Sequence, residues 1–275
     1  MCGILGNIGI GNYSISLNQF QLINDMLVNR GPDDEGVTEF ISNNNNIKLG
    51  HRRLSILDLS ESGSQPMMSF SQRFVITFNG EIYNHRELRK EINELTQINW
   101  KGTSDTETLI NLFEIYDFDT VLHKLEGMFA FGLFDKKKDL LYLVRDIAGE
   151  KPLYLSTGNN YLSFSSDIKP LTKFPNFNKT LDKLSVQKYL KYNYIPSPHS
   201  IYKNTFKLPE ASYIKISTEN FKINSYENFE DLINNNNIKY KKWWKPQYNN
   251  TKSLFNHNDF VNQVEVLLKK SISQQ

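Results

Sequence analysis

The chain has 275 residues, of which 39% are hydrophobic and 13% aromatic. That is enough for a buried core and for one large domain, or one domain with part of another. A formal charge of +2 with scattered lysines excludes a dedicated nucleic-acid or membrane surface, and one cysteine excludes an internal disulfide. The N-terminus has no signal-like pattern, and no run approaches the ~20 apolar residues that span a bilayer, so a soluble, cytoplasmic chain in a reducing compartment is expected.

The chain opens Met1-Cys2-Gly3-Ile4. Removal of Met1 would leave Cys2 with a thiol and a free α-amine on one carbon. The thiol is the best side-chain nucleophile near neutral pH, and the amine can act as its base. Their ordinary pKa values, about 8.5 and about 7.7–8.0, suit proton exchange. A cysteine at position 2 could equally be an accident of the start.

Residues 3–10 read as a buried strand. Leu17, Phe20, Ile23 and Leu27 give helical spacing over 17–28. Gly31-Pro32-Asp33-Asp34 then makes a turn, and short strands follow near 37–41, 47–51, 54–58 and 74–79. The asparagine runs at 43–46 and 234–237 read as loop insertions. Asn84-His85-Arg86-Glu87 and Ser104-Asp105-Thr106-Glu107 have the form of capping boxes, each opening a helix. Strand-like runs follow at 128–135, 140–145, 152–156 and 161–165, with Lys136-Lys137-Lys138 as a solvated hairpin tip. From Leu184 the texture changes. A helix is expected to Tyr192, a linker-like turn at Tyr194 to Pro198, and a hairpin from 212–217 and 221–226. A last helix from Asp259 to Ile272 has Phe260, Val264, Leu267 and Leu268 on one face. That face needs a cover. It reads as the first helix of a domain whose remainder is missing.

All 14 glycines lie at or before Gly158, so 159–275 cannot hold a glycine-rich phosphate loop. The histidines 51, 85, 123, 199 and 257 have no metal-ligand spacing, and no metal site is expected.

Three further sites carry possible chemistry. In His51-Arg52-Arg53-Leu54-Ser55-Ile56-Leu57-Asp58, strand alternation sends the two arginines to opposite faces. One can then grip a carboxylate bidentately, although a surface pair would look the same. Asn79-Gly80-Glu81 follows a strand directly. It is either an ordinary turn or an oxyanion hole, with the Asn79 amide and the Gly80 N–H as donors. Asp105 stands in the first turn of a helix, where a carboxylate is favoured anyway. Its alternative role is a partner for a substrate ammonium.

Together these residues resemble the class II glutamine amidotransferases, whose glutaminase domain is an N-terminal-nucleophile hydrolase. The match is to the asparagine synthase (glutamine-hydrolysing) type. It rests on the opening Cys-Gly-Ile, Arg30 to Asp33, His51 to Asp58, Asn79 to His85, Ser104-Asp105, Gly127 to Phe131, Arg145-Asp146 and Lys151-Pro152-Leu153-Tyr154. Glu81-Ile82-Tyr83-Asn84 separates this type from the sugar-phosphate and purine-pathway enzymes.

The resemblance implies an α+β fold, a four-layer αββα sandwich. It implies Cys2 as nucleophile with its own amine as base. Arg53 would bind the glutamine carboxylate, with Leu54, Ser55, Ile56 and Leu57 lining that pocket. Asn79 and Gly80 would form the oxyanion hole, and Gly80, Glu81 and Asp105 would hold the substrate's amino end. It further implies a glutaminase domain over 2–180, a connecting segment over 181–257, and the start of a synthetase domain over 258–275.

The substrate is expected to be L-glutamine, and ammonia would serve asparagine formation from aspartate and ATP. No cofactor is expected in this chain, since ATP and Mg belong to the absent synthetase domain. Three alternatives stay open: a subunit docking to a separate ATP-binding synthetase, amidation of another acceptor, and an inactive fragment. A homodimer is also open. Two departures stand out: Asn29 in place of the usual histidine, and Glu210-Ala211 in place of a Pro-Gly turn.

Overall fold

The computed structural model describes residues 1–11, 15–42, 45–219, 221–248 and 256–274, the side chain of His257 excepted. The sheets alternate with the period of two that strand geometry requires. One has six strands: β1 (Gly3–Ile10), β2 (Asp34–Ser42), β3 (Asn45–Arg53), β8 (Tyr154–Gly158), β9 (Tyr161–Ser165) and β10 (Thr205–Lys207). They run in the order β10-β8-β9-β1-β3-β2. The other is built from β4 (Met67–Met68), β5 (Phe74–Ile82), β6 (Gly127–Asp135), β7 (Leu140–Arg145), β11 (Ser212–Ser217) and β12 (Ile238–Lys242). Its order is β12-β11-β7-β6-β5-β4. All pairings are antiparallel.

Alternation sorts the apolar residues into three layers of core. Ile4 and Ile8 of β1 meet Val75, Ala130, Leu141, Leu143, Ile214 and Ile216 between the sheets. Leu5, on the opposite face of β1, packs with Phe20, Ile23 and Leu27 under α1 (Leu17–Asn24), and with Leu171 of α5 (Ile168–Leu171). Phe74, Ile76, Phe78, Phe129 and Phe131 turn outward, against α2 (His85–Leu95), α3 (Asp105–Ile115) and α4 (Phe118–Lys124). The result is helix, sheet, sheet, helix: the αββα sandwich expected. The Phe164 ring fills the inter-sheet space between Gly6 and Gly132. A Cβ on Gly6 would overlap it, and one on Gly132 would lie 2.6 Å away.

Several local expectations are corrected. Residues 54–58 are not a strand, because the chain turns where Ser55 N–H donates to Asp33 Oδ2 at 2.8 Å. The first helix stops at Asn24 and continues as a 3-10 turn, Asp25–Leu27. Asn84 makes no cap, because its amide donates to Lys124 O (2.9 Å) and accepts from Glu126 N–H (3.1 Å). Ser104 does cap α3, but Glu107 instead accepts from Lys101 and Gly102 N–H. The strand β11 pairs with β12 rather than with 221–226, which contribute Phe221 and Ile223 to the core. Asn45 and Asn46 lie in β3; Asn43 and Asn44 are outside the described residues. Residues 234–237 form a turn after α7 (Phe229–Ile233). Strand β2 begins at Asp34, inside the turn expected there.

Residues 183–192 form α6 (Lys183–Tyr192), and β10, β11 and β12 then complete the same two sheets. Ala211 has φ of +52°, a left-handed backbone that favours glycine, and donates its N–H to Asp146 O at 2.7 Å. The final helix, α8 (His257–Gln274), leaves Phe260, Val264, Leu267 and Leu268 exposed. Among the described residues no helix is long and apolar enough to cross a membrane.

Candidate active site

Cys2 leaves β1 at the point where Gly3 pairs with Arg52 of β3. That register sets its sulfur beside the end of β3. Leu54 N–H donates to Cys2 Sγ at 3.5 Å, and the thiol lies 3.7 Å from Leu54 O. Arg30 Nε donates to Cys2 O at 3.0 Å and pins the N-terminal backbone. Burial pushes the thiol pKa up, only partly offset by the Leu54 hydrogen bond and the nearby terminal amine. The thiol therefore needs a base to become a nucleophile. With Met1 attached, the Cys2 nitrogen is an amide and cannot serve.

A cavity of about 140 Å³ opens at the thiol. Cys2, Arg53, Leu54, Ile56, Leu57, Asn79, Gly80, Glu81 and Asp105 all line it; Ser55 does not. The arginine pair divides as alternation requires. Arg52 turns to the outer face and pairs with Glu35 and Asp25. Arg53 turns to the cavity, where its guanidinium donates to Ser60 O (2.8 Å) and Asp58 O. Gly63 makes room for it, since a Cβ there would overlap the guanidinium. Asp58 Oδ1 accepts from Ser60 N–H (2.9 Å) and hydroxyl (2.6 Å), while Oδ2 accepts from Thr103 N–H at 2.7 Å. These bonds hold its carboxyl down at about 2 and tie the arginine loop to the start of α3.

Along β5, donors on one edge alternate. Phe78 N–H donates to Gln65 Oε1 at 2.7 Å and Ile82 N–H to Asp105 Oδ2 at 2.9 Å. Both point away from β6. The N–H of Gly80, midway between them, faces the same side by strand periodicity, into the cavity. A side chain is excluded at Gly80, because its Cβ would lie 2.7 Å from Phe129 Cα and closer still to Met128 O. Asn79 is 1% exposed, and neither atom of its amide has a partner among the described residues. A buried amide is costly to leave unpaired. Here it lines the cavity beside the thiol.

Asp105 is buried. Its carboxylate accepts from Ile82 N–H and from Thr106 N–H (2.8 Å) but makes no ion pair among the described residues. Burial pushes its pKa up to about 6. The cavity therefore presents a guanidinium, a thiol beside unpaired donors, and a carboxylate awaiting a cation. That suits a zwitterionic amino acid whose side chain carries a carbonyl.

Asp58, Gln65, Met128 and Lys151 also line the cavity and were not expected there. Asp58, Met128 and Lys151 stand in motifs named above, without a role assigned to them; Gln65 gives no sequence signal. His51 is fully buried and joins the sheets: its Nε2 lies 3.0 Å from Phe78 O, so that nitrogen carries the proton. Thr77 hydroxyl donates to Gly50 O at 2.8 Å beside it. Burial lowers the His51 pKa to about 4.

The family model described as glutamine amidotransferase domain matches residues 1–227. A putative asparagine synthetase [glutamine-hydrolyzing] 2 of Methanocaldococcus jannaschii is 39% identical over 246 residues, covering 84% of this chain and 47% of that one. Asparagine synthetase [glutamine-hydrolyzing] 1 of Bacillus subtilis is 36% identical over 219 residues, covering 78% and 33%. The chain thus spans between a third and a half of these curated relatives. In structure it resembles glutamine phosphoribosylpyrophosphate amidotransferase of B. subtilis, with a TM-score of 0.61 at 14% identity over 89% of this chain and 50% of that one. At that identity the likeness shows the shared fold.

Proposed function

The chain belongs to the glutamine amidotransferase domain family, and from that premise we propose that it hydrolyses L-glutamine at Cys2 to glutamate and ammonia. The observation that carries this is the unpaired Asn79 amide, buried in the same cavity as the Cys2 thiol and the inward N–H of Gly80.

After loss of Met1, the Cys2 α-amine takes the thiol proton. The thiolate attacks the side-chain carbonyl carbon of glutamine, and the oxyanion is held by Asn79 Nδ2 and Gly80 N–H. The C–N bond breaks as the amine returns the proton to the leaving nitrogen, and ammonia departs. A γ-glutamyl thioester remains. Water, deprotonated by the same amine, attacks it and releases glutamate and the thiol. Arg53 grips the α-carboxylate, while Asp105, with Glu81 and the Gly80 backbone, faces the α-ammonium. These two anchors place the amide over the sulfur. Leu54, Ile56 and Leu57 line the arginine end, and Ser55 braces that loop through Asp33.

Ammonia then serves asparagine formation from aspartate, as the names of the relatives support. In this proposal a synthetase domain, following α8 in the same chain or in a separate subunit, uses ATP and Mg to activate the acceptor. The exposed apolar face of α8 supports such a neighbour. The test is release of glutamate and ammonia from glutamine by protein lacking Met1. Cys2→Ala should abolish it. Asn79→Ala should lower kcat roughly 10²–10³-fold. Turnover persisting in Cys2→Ala would overturn the assignment.

A further inference from the structure

Lys151 is a buried cation for which the thioester chemistry above supplies no role. It is 6% exposed, lines the cavity with Met1 and Cys2, and makes no ion pair or side-chain hydrogen bond among the described residues. A lysine so placed is rare without a partner. Its backbone is held with unusual care. Asp146 Oδ1 accepts from Ala148 and Glu150 N–H, each at 3.0 Å, and Oδ2 accepts from Phe129 N–H (3.2 Å) and Lys151 N–H (3.0 Å). Arg145 closes the turn by donating to Lys151 O (2.8 Å), Gly149 O (2.6 Å) and Leu208 O (2.7 Å). Six hydrogen bonds to the turn Asp146 to Lys151 fix where the Lys151 side chain begins, and that turn delivers it to the catalytic cavity.

We propose that Lys151 is a positioning residue whose ammonium keeps the terminal amine in its neutral, proton-accepting form. A fixed positive charge disfavours a second one nearby, so the amine stays a free base at lower pH than it otherwise would. The charged groups acting on the N-terminus are the Cys2 thiol, Asp33, Arg30 and Lys151, with Arg53, Glu81 and Asp105 around the cavity that Met1 and Cys2 share. At the amine of Met1, burial opposes protonation most, the thiol and Asp33 favour it, and Arg30 and Lys151 oppose it; loss of Met1 moves that amine one residue, onto Cys2, in the same cavity. Lys151 thus offsets the acidic partners from inside the cavity, while Arg30 is occupied with Cys2 O. The inference rests on Cys2 being the terminal nucleophile.

The sole cysteine makes a direct test available, since ¹³C-labelled cysteine puts an NMR probe on Cys2 alone. Its Cα and Cβ shifts titrate with the amine and the thiol whether or not glutamine is turned over. The samples are Met1-free wild type, Lys151→Met, Lys151→Gln and Lys151→Arg. In both neutral variants the amine midpoint should rise by about one pH unit. The acid limb of kcat/KM should rise with it, and Lys151→Arg should match wild type. A merely structural lysine would alter melting temperature and leave the midpoint in place. An unchanged midpoint in either folded neutral variant overturns the proposal. A shifted midpoint in protein without glutaminase activity upholds it and counts against the proposed function instead.

Discussion

Two buried residues of the site titrate in opposite senses. His51 is held neutral at about 4 and returns to its ordinary 6.5 on unfolding. As pH falls from 6.5 to 4 the unfolded chain takes up the proton that the folded chain refuses, and up to roughly 3 kcal/mol of stability is lost. Asp105 does the reverse. Raised from 3.8 to about 6, its buried carboxylate costs stability above pH 6, and that cost is relieved as pH falls toward 3.8. The two contributions largely cancel between pH 6 and 4. Asp105→Asn should therefore be more stable than wild type at pH 7, by about 1–3 kcal/mol, and should lose stability steeply below pH 6. Urea unfolding at pH 7, 5.5 and 4.5 reads both effects. Equal stability of the two proteins at pH 7 would show that Asp105 bears no such cost. The same variant should raise KM for glutamine. Arg53→Lys should also raise KM, by roughly 10–150-fold, because it removes a bidentate contact made in both ground and transition states, worth about 1.5–3 kcal/mol. A fall confined to kcat would place Arg53 elsewhere in the reaction.

At the scale of elements, the loop from Leu54 to Ser64 and the start of α3 form one unit through Asp58. Its carboxyl, held at about 2 by Ser60 and Thr103, stays ionised throughout the pH range 4.5 to 7 used above. Asp58→Asn should free the loop, raise KM through Arg53 and leave the sheets intact; circular dichroism beside steady-state kinetics separates these outcomes. An unaltered KM would mean the loop is held by other contacts. This coupling also marks what the sequence could reveal. The meeting of Cys2, Arg53, Asn79 and Asp105 in one cavity is legible because the four sit in short motifs beside strands and a helix start. The strand alternation that turns Arg52 outward and Arg53 inward was legible too. The loop over 54–58 was misread as strand because its apolar residues, Leu54, Ile56 and Leu57, line a cavity rather than a sheet face. Asn84 looked like a cap because its partners, Lys124 and Glu126, lie some forty residues along the chain. The β11–β12 pairing was hidden for the same reason, with α7 lying between the strands. Lys151 gave only its motif, and no local pattern says that a lysine is buried.

For the whole molecule, the site depends on how two sheets are set against each other. Cys2 and Arg53 come from one sheet, and Asn79 and Gly80 from the other. His51 and Thr77 cross-link β3 to β5, and Phe164 fills the space between Gly6 and Gly132. Gly132→Ala would press a methyl onto that ring, and overpacking of this kind costs about 1–3 kcal/mol. It should lower stability and, by shifting one sheet against the other, lower kcat more than it raises KM. Wild-type kinetics in a destabilised variant would mean that the sheet spacing does not set the site. The most direct measurement is intact mass and glutamine turnover on one preparation. Protein that has lost Met1 should release glutamate and ammonia in equal amounts, and protein retaining Met1 should release neither. Turnover by the Met1-retaining form would contradict the account, because its Cys2 nitrogen is an amide and has no base to offer.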